Sequence, residues 1–507
     1  MVFTTPQRHA NDRRLFWPRG RVLGGSSSLN GMIYIRGHAS DYDGWARTCG
    51  DRGWAWAEVL ALFKRSEAHE LGATEYHGAD GPLPVSTIGT PHPLSAAFVD
   101  GAIANGHRLI AEFNADEMVG VGYNHTTTRG GERMSAWTSF VAPVLDHPKL
   151  TVSTGARVHR IVVETGLAVG VEYSLHGGAS QRAYADAEVV LRAGVLGSPK
   201  ALLLTGIGPS AHLEAVGVRP LVELAGVGEN LHDHPLVSNL YEARGPLPAG
   251  ENNLLEAQLY ARSTHCEGPA PDLQPLFIHI PYPADGYPVP EHGYTIAAGL
   301  VAPKSRGRLR LASADPDVAP LADPNILADP ADMEALVQAV ELCRDIGASP
   351  AFTPWRAAEV APGPEATTRA ELRAFVRRAV GTYHHQVGTC KMGAADDPAA
   401  VVGADLRVRG IEGLCIADAS IMPNVPAGNT NAASMMIGSG LQISSSRRLR
   451  RVGTDDGDRR GRQARLGRAC CSVPGGEVRR RARYGRVPGG LASVDAPGRL
   501  GLAAVHR

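Results

Sequence analysis

Two imidazoles stand side by side in the run Tyr383-His384-His385-Gln386-Val387-Gly388-Thr389-Cys390-Lys391-Met392-Gly393. An unperturbed imidazole titrates at about 6.5, near working pH, so it suits the task of taking and returning the proton of a reacting hydroxyl. Further on, Pro426-Ala427-Gly428-Asn429-Thr430-Asn431 brings two carboxamides and a hydroxyl into a Gly/Pro-bounded turn. A carboxamide can donate to an oxygen on which charge develops. Near the start lies Pro18-Arg19-Gly20-Arg21-Val22-Leu23-Gly24-Gly25-Ser26-Ser27-Ser28-Leu29-Asn30-Gly31. Adjacent glycines let backbone approach a flat or charged ligand, and the serines and Asn30 offer hydrogen bonds. Taken singly, each string has a plain reading: a satisfied core histidine, a turn asparagine, an ordinary loop.

Taken in order, the strings resemble the signatures of the glucose–methanol–choline oxidoreductases. The first continues into Met32-Ile33-Tyr34-Ile35-Arg36-Gly37, and the resemblance implies a loop lying along FAD, contacted by Val22, Gly25, Ser26, Asn30, Gly31 and Ile33. Some members bind the flavin covalently through a His at the position of Leu29; leucine cannot form that bond, so the flavin here is expected to be noncovalent. The family places its active-site His two residues before a Gly-Thr pair, which selects His385 over His384. Its second catalytic position, His or Asn, falls on Asn429, and Thr430 beside it is expected to contact the FAD. Ile416-Ala417-Asp418-Ala419 resembles the flavin-contacting turn, so Asp418 and Ala419 are expected near the ribityl and pyrophosphate. Val158 matches a strand residue that presents its backbone to the adenine. The implied activity is oxidation of a small-molecule alcohol by hydride transfer to flavin N5. Within the family, the Tyr-His-His-Gln-Val-Gly-Thr-Cys-Lys-Met-Gly and Gly-Asn-Thr-Asn strings resemble those of choline dehydrogenases. Oxygen, a quinone or another carrier is left open as electron acceptor.

Gly194-Val195-Leu196-Gly197-Ser198-Pro199-Lys200-Ala201-Leu202-Leu203-Leu204-Thr205-Gly206-Ile207-Gly208 resembles the family's second signature. Gly206, Gly208 and Ala211 imitate a dinucleotide fingerprint, but such a fingerprint follows a strand, and this one follows a helix. His232 and His234 have the spacing of a metal pair without a third ligand in reach of the pattern. The seven cysteines match no metal spacing either, so no metal is expected.

The elements that must position these residues read as α/β. Val59, Leu60, Leu62 and Phe63 give a helix over 54–66. Residues 150–163 alternate like a strand, and 170–173 and 188–191 read as two more, neighbours across a polar turn. Ser198-Pro199 looks like the cap and first turn of a short helix, 200–204, stopped by Gly206. A strand is expected at 308–312, helices at 329–342 and 368–379, a buried strand at 414–417, and a helix packed on all sides at 431–441. The proline-rich stretch 235–299 gives no clear period.

A chain of 507 residues is too long for one ordinary core. The expected architecture is an incomplete Rossmann-like FAD-binding domain assembled from 1–40, 150–235 and 385–442. An interleaved α+β substrate domain, 41–149 and 236–384, is built on an antiparallel sheet. The Gly-x-Gly-x-x-Gly start that holds the ADP half in relatives is not found before Pro18, so it is expected to be missing. The switch at Gly438-Ser439-Gly440 to Ser444-Ser445-Ser446-Arg447-Arg448 resembles a reading-frame shift. From Arg447 to Arg507 there are sixteen Arg, no Lys and five acids. Residues 443–507 are therefore expected to be a disordered, Arg-rich tail. No transmembrane run and no secretory start occur, and a cytoplasmic setting, peripheral to the inner membrane at most, is expected. Two other classes remain: an inactive remnant without flavin, and a nucleic-acid or membrane-surface binder acting through the tail, though no nucleic-acid partner is expected.

Overall fold

The computed structural model describes residues 2–440. The basic tail and the end of the 431–441 helix lie outside the described residues. No helix among those described is long and apolar enough to cross a membrane.

A large antiparallel sheet carries one wall of the site. Its strands run in the spatial order Arg356–Ala361, Pro235–Ala243, Gly293–Gly299, Leu276–Ile278, Ala257–Tyr260 and Gly120–Tyr123, with Gly381–Thr382 also paired to Pro235–Ala243. Alternate side chains serve opposite faces, as the two-residue strand period requires. Val237, Leu259, Phe277, Tyr294 and Ile296 pack against the helices Pro93–Ala104 and Pro330–Ala348. Leu236, Tyr260, Leu276, Ile278 and Ala297 form a separate apolar group on the other face. With both faces apolar, these strands show no in–out alternation, which explains why 235–299 has no legible period.

The second core gathers the pieces that carry the glycine-rich motifs. Val189–Leu191 and Leu414–Ile416 pair in parallel, Val189 opposite Leu414 and Leu191 opposite Ile416. Among the described residues this parallel sheet has two strands. The strand at 188–191 is therefore not a neighbour of 170–173. Leu167–Leu175 pairs instead with Ala156–Glu164 and with Ser180–Tyr184. That third strand hides in the polar segment because all five of its residues are exposed, so burial left no apolar mark on it. Residues 150–155, expected to open the first strand, are not part of it.

The helix after Val189–Leu191 runs Gly194–Thr205, six residues earlier than the Ser-Pro pair suggests. Pro199 thus lies inside it and lacks the N–H that would bond the Val195 carbonyl. Thr389 fills that gap: its Oγ1 donates to the Val195 oxygen at 2.6 Å. Ser198 does not cap; its Oγ donates to Asp418 Oδ2 at 2.5 Å. Tertiary partners have replaced the local cap. Gly206 closes the helix at φ +94°, as expected, and Gly206-Ile207-Gly208 follows a helix rather than a strand. The other helices sit close to expectation: Trp56–Ser66, Pro330–Ala348 capped by Asp329, and Arg369–Ala379 capped by Thr368. Residues 430–440 are helical with one buried face, Ala432, Ala433, Met436 and Ile437, and not on all sides.

Thr389→Val should lower the unfolding free energy by about 1–3 kcal/mol, the cost of stranding a buried carbonyl. The urea midpoint reads this at constant slope, and an unshifted midpoint would mean that Val195 has another donor.

Candidate active site

His385 sits on a segment that the fold fastens through its backbone. The buried Asp233 carboxylate accepts from the His385 N–H at 2.8 Å, from Gln386 Nε2 at 2.9 Å and from Thr382 Oγ1. Burial pushes the Asp233 carboxyl up to about 6 even against these donors and the nearby Arg19. Downstream, the Gly388 and Cys390 N–H groups bond to the Ala419 and Ser420 carbonyls. His384, between Tyr383 and His385, adopts φ +67°, a left-handed conformation that a non-glycine residue takes only when its surroundings enforce it.

The imidazole and the carboxamide meet. Asn429 Nδ2 lies 3.1 Å from His385 Nε2. On its other side, Gln274 Nε2 faces Asn429 Oδ1 at 3.5 Å and is itself held by Gln258 Oε1 at 2.7 Å and Tyr260 Oη at 2.8 Å. That network orients the amide with its NH2 group toward His385. His385 then carries its proton on Nδ1 and donates it to His234 Nδ1, 3.1 Å away, leaving the Nε2 lone pair beside Asn429. Tyr383 stacks on the ring at 5.1 Å. Burial, with His234, His384 and Arg19 nearby, holds the His385 imidazole well below its ordinary value and therefore neutral at pH 7. Gly428 permits the approach of the Asn429 loop: a Cβ there would meet Ile35 Cγ2 at 2.4 Å. Asp41 Oδ2 holds the same loop by accepting from the Ala427 N–H at 2.8 Å.

This pair opens on a cleft of about 1850 Å³, nearly twice the roughly 1,000 Å³ upper range of drug-sized pockets. Gly25, Ser26, Asn30, Gly31, Ile33, Val158, Asp418, Ala419 and Thr430 line it together with His385 and Asn429. Val22 is outside that lining and exposed; its carbonyl accepts the Gly25 N–H at 2.9 Å and so shapes the turn instead. Asp418 is at the cleft, but its carboxylate is committed to protein donors: the Gly194 N–H at 2.9 Å, Ser198 Oγ and the Ser420 N–H at 2.8 Å.

Several features fit an extended, anionic, partly flat ligand. Gly25 and Gly194 have φ of +58° and +75°, and a Cβ on either would project into open space. Arg19, Arg21, Arg133, Arg157, Arg192 and Lys200 line the cleft, against the single carboxylate of Asp418. His384 Nδ1 is buried without a protein partner. Val158 and Val190 leave apolar surface exposed along the same lining.

Sequence reasoning missed Asp233, Gln274 and His234. His234 belongs against His385, not to a metal pair; His232 is occupied by the Asn230 carbonyl at 2.6 Å and the Val425 N–H at 3.0 Å. Asp41 did leave a trace, because His38-x-x-Asp41 forms a capping box at the start of Ala39–Cys49.

The sequence matches the N-terminal part of the GMC oxidoreductase family over residues 4–236 and its C-terminal part over 303–438. The first match opens at residue 4. Mitochondrial choline dehydrogenase of Homo sapiens is 39% identical over 458 residues, covering 86% of this chain and 77% of that protein. Alcohol dehydrogenase (acceptor) of Pseudomonas putida is 37% identical, covering 86% of this chain and 83% of that protein. The solved structure of pyridoxine 4-oxidase from "Mesorbium loti" superposes with a TM-score of 0.84 at 35% identity, covering 88% of each chain. With two matched stretches in the order of the motifs, and relatives alike over most of their length, the chain belongs to the GMC oxidoreductase family.

Proposed function

We propose that this protein oxidises an alcohol to the aldehyde or ketone with noncovalent FAD in the cleft and His385 and Asn429 at the reacting carbon. The observation that carries the reading is the 3.1 Å approach of Asn429 Nδ2 to His385 Nε2 on a cleft bordered by the Gly/Ser loop. The cationic lining and the backbone around Gly25 and Gly194 would hold the FAD phosphates and ring. FAD, when bound, supplies the acceptor for the hydride that leaves the carbinol carbon.

His385 Nε2 takes the hydroxyl proton. The Nδ1–H···His234 hydrogen bond fixes the tautomer that leaves Nε2 free for this. As the carbon–oxygen double bond forms, Asn429 Nδ2–H and the newly protonated Nε2–H both donate to the oxygen. Asp233 is a positioning residue: it holds the backbone at 385 and touches neither substrate nor cofactor. The sheet wall beside the pair is apolar, with Leu236, Leu276 and Ile278 in the lining. Of the residues that line the described cleft, Asp418 alone is a carboxylate, and it is already engaged. This supports an uncharged alcohol as substrate; a trimethylammonium alcohol would have to rely on the lining aromatics Phe140, Tyr282 and Tyr383 rather than on an anion.

His385→Ala should retain bound flavin and cut anaerobic, alcohol-dependent bleaching of its absorbance by about 10²–10⁴-fold, the usual worth of a positioned proton acceptor. Near-normal bleaching would remove His385 from the role. Because a lowered imidazole pKa means that the basic form is already complete at neutrality, kcat/KM should be flat at and above pH 7. It should fall only at or below about pH 6, as Asp233 and then His385 gain protons. An acid limb centred above 7 would contradict this. Acid precipitation should leave the flavin in the supernatant; a yellow pellet would show a covalent link.

A further inference from the structure

Away from the cleft, four side chains from four separate segments converge. His69 ends the strand Glu67–His69, His77 lies in the loop that follows, Glu112 precedes Phe113, and His125 opens the strand His125–Thr126. One donor atom from each lies within 4.8 Å of the others. We propose that His69, His77, Glu112 and His125 form a metal site for a divalent first-row transition ion, Zn2+ by the donor set.

The geometry is close to what such an ion requires. Bonds of 2.0–2.2 Å to imidazole nitrogen and carboxylate oxygen at tetrahedral angles put neighbouring donors about 3.3–3.6 Å apart. Here His77 Nε2 is 2.7 Å from Glu112 Oε2, His69 Nε2 is 3.3 Å from His125 Nδ1, and His125 Nδ1 is 3.8 Å from Glu112 Oε2. These three separations straddle the required value and the set as a whole spans up to 4.8 Å, so shifts of about an ångström would close the shell. Three imidazoles and a carboxylate suit zinc better than magnesium or calcium, which take oxygen ligands.

The surroundings are those of a supported site. His77 Nδ1 is held by Glu67 Oε1 at 3.0 Å, and Glu67 Oε2 accepts from Arg36 Nη2 at 2.7 Å and the Gly78 N–H at 2.9 Å. A carboxylate behind the distal nitrogen orients a ligating imidazole and raises its basicity. Two strand pairings anchor ligands, Glu67–His69 with Leu83–Val85 and His125–Thr126 with Ile33–Tyr34. The histidines are buried, while the Glu112 side chain remains 22% exposed and leaves an approach for the ion. The plain alternative is a hydrogen-bonded cluster around the Arg36–Glu67 pair. Binding through His69 Nε2 would put its proton on Nδ1 and give up the 3.3 Å bond from the Leu71 N–H, a weak one. None of the four lines the cleft, and the protein supplies every ligand, so the ion's role is structural. It would tie down the strand that carries Ile33.

The test is elemental analysis of the full-length, flavin-bearing protein after incubation with Zn2+ and desalting. Binding of about one ion per chain is expected, with affinity falling at least about tenfold in both His69→Gln and Glu112→Gln. Co2+ in place of zinc should give the visible bands of a four-coordinate site in the parent and not in the variants. If His69→Gln fails to fold, the partly exposed Glu112→Gln still reports. Less than a tenth of an ion per parent chain, or unchanged affinity in Glu112→Gln, would overturn the proposal. Flavin content, measured alongside, tests the proposed function separately from the metal stoichiometry.

Discussion

A single buried carboxylate sets the geometry of the candidate site. Asp233 takes the backbone of His385, the side chain of Gln386 and the hydroxyl of Thr382, three donors from a segment about 150 residues away in sequence. Burying a charge is costly unless its oxygens are satisfied, and here the donors satisfy it by adopting one particular backbone path. The strained φ at His384 is part of that path. So is the stacking of Tyr383 on the imidazole. The large antiparallel sheet contributes by fixing the other end: the strand Pro235–Ala243 begins two residues after Asp233 and pairs directly with Gly381–Thr382.

The chemistry-bearing residues were legible because their types sit in continuous strings: the Gly/Ser loop, the His-His-Gln-Val-Gly-Thr run and the Gly-Asn-Thr-Asn turn. The residues that tune them were not. Asp233 and His234 stand in a short polar run whose spacing suggests a metal pair, and only the folded chain shows which side chains they face. Gln274 lies within the proline-rich stretch that gave no period. The helices with capping residues were placed to within two residues at their starts, since a cap is a local signal. The exceptions are instructive: Gly194–Thr205 has no side-chain cap of its own, and its Ser-Pro pair answers to Asp418 and Thr389 instead. Ser180–Tyr184 is a strand by pairing alone, with no buried residue to mark it.

The balance of charge in the cleft separates two roles that the sequence blends. Six cations border the space suited to an anionic cofactor, while the sheet wall offers aliphatic surface. Under the proposed function, such a site would recognise its cofactor largely through electrostatics and its substrate largely through burial. Those two contributions respond differently to salt, because exposed charges are screened and apolar contacts are not.

The two halves of the proposed catalytic pair, His385 and Asn429, are not held alike. The chain bearing the imidazole is pinned on both sides, by Asp233 upstream and by the Thr389–Val195 bond downstream. The side chain of Asn429 is held by the 3.1 Å bond to His385 Nε2 itself and by a longer 3.5 Å contact from Gln274. An incoming hydroxyl must displace something from Nε2 in order to reach it. Moving the carboxamide breaks its bonds to His385 and Gln274, whereas moving the imidazole breaks the buried Nδ1–H bond to His234 and its stacking on Tyr383 as well. Under the proposed function, adaptation to substrates of different shape would fall to the asparagine, and the imidazole would stay where the fold has put it.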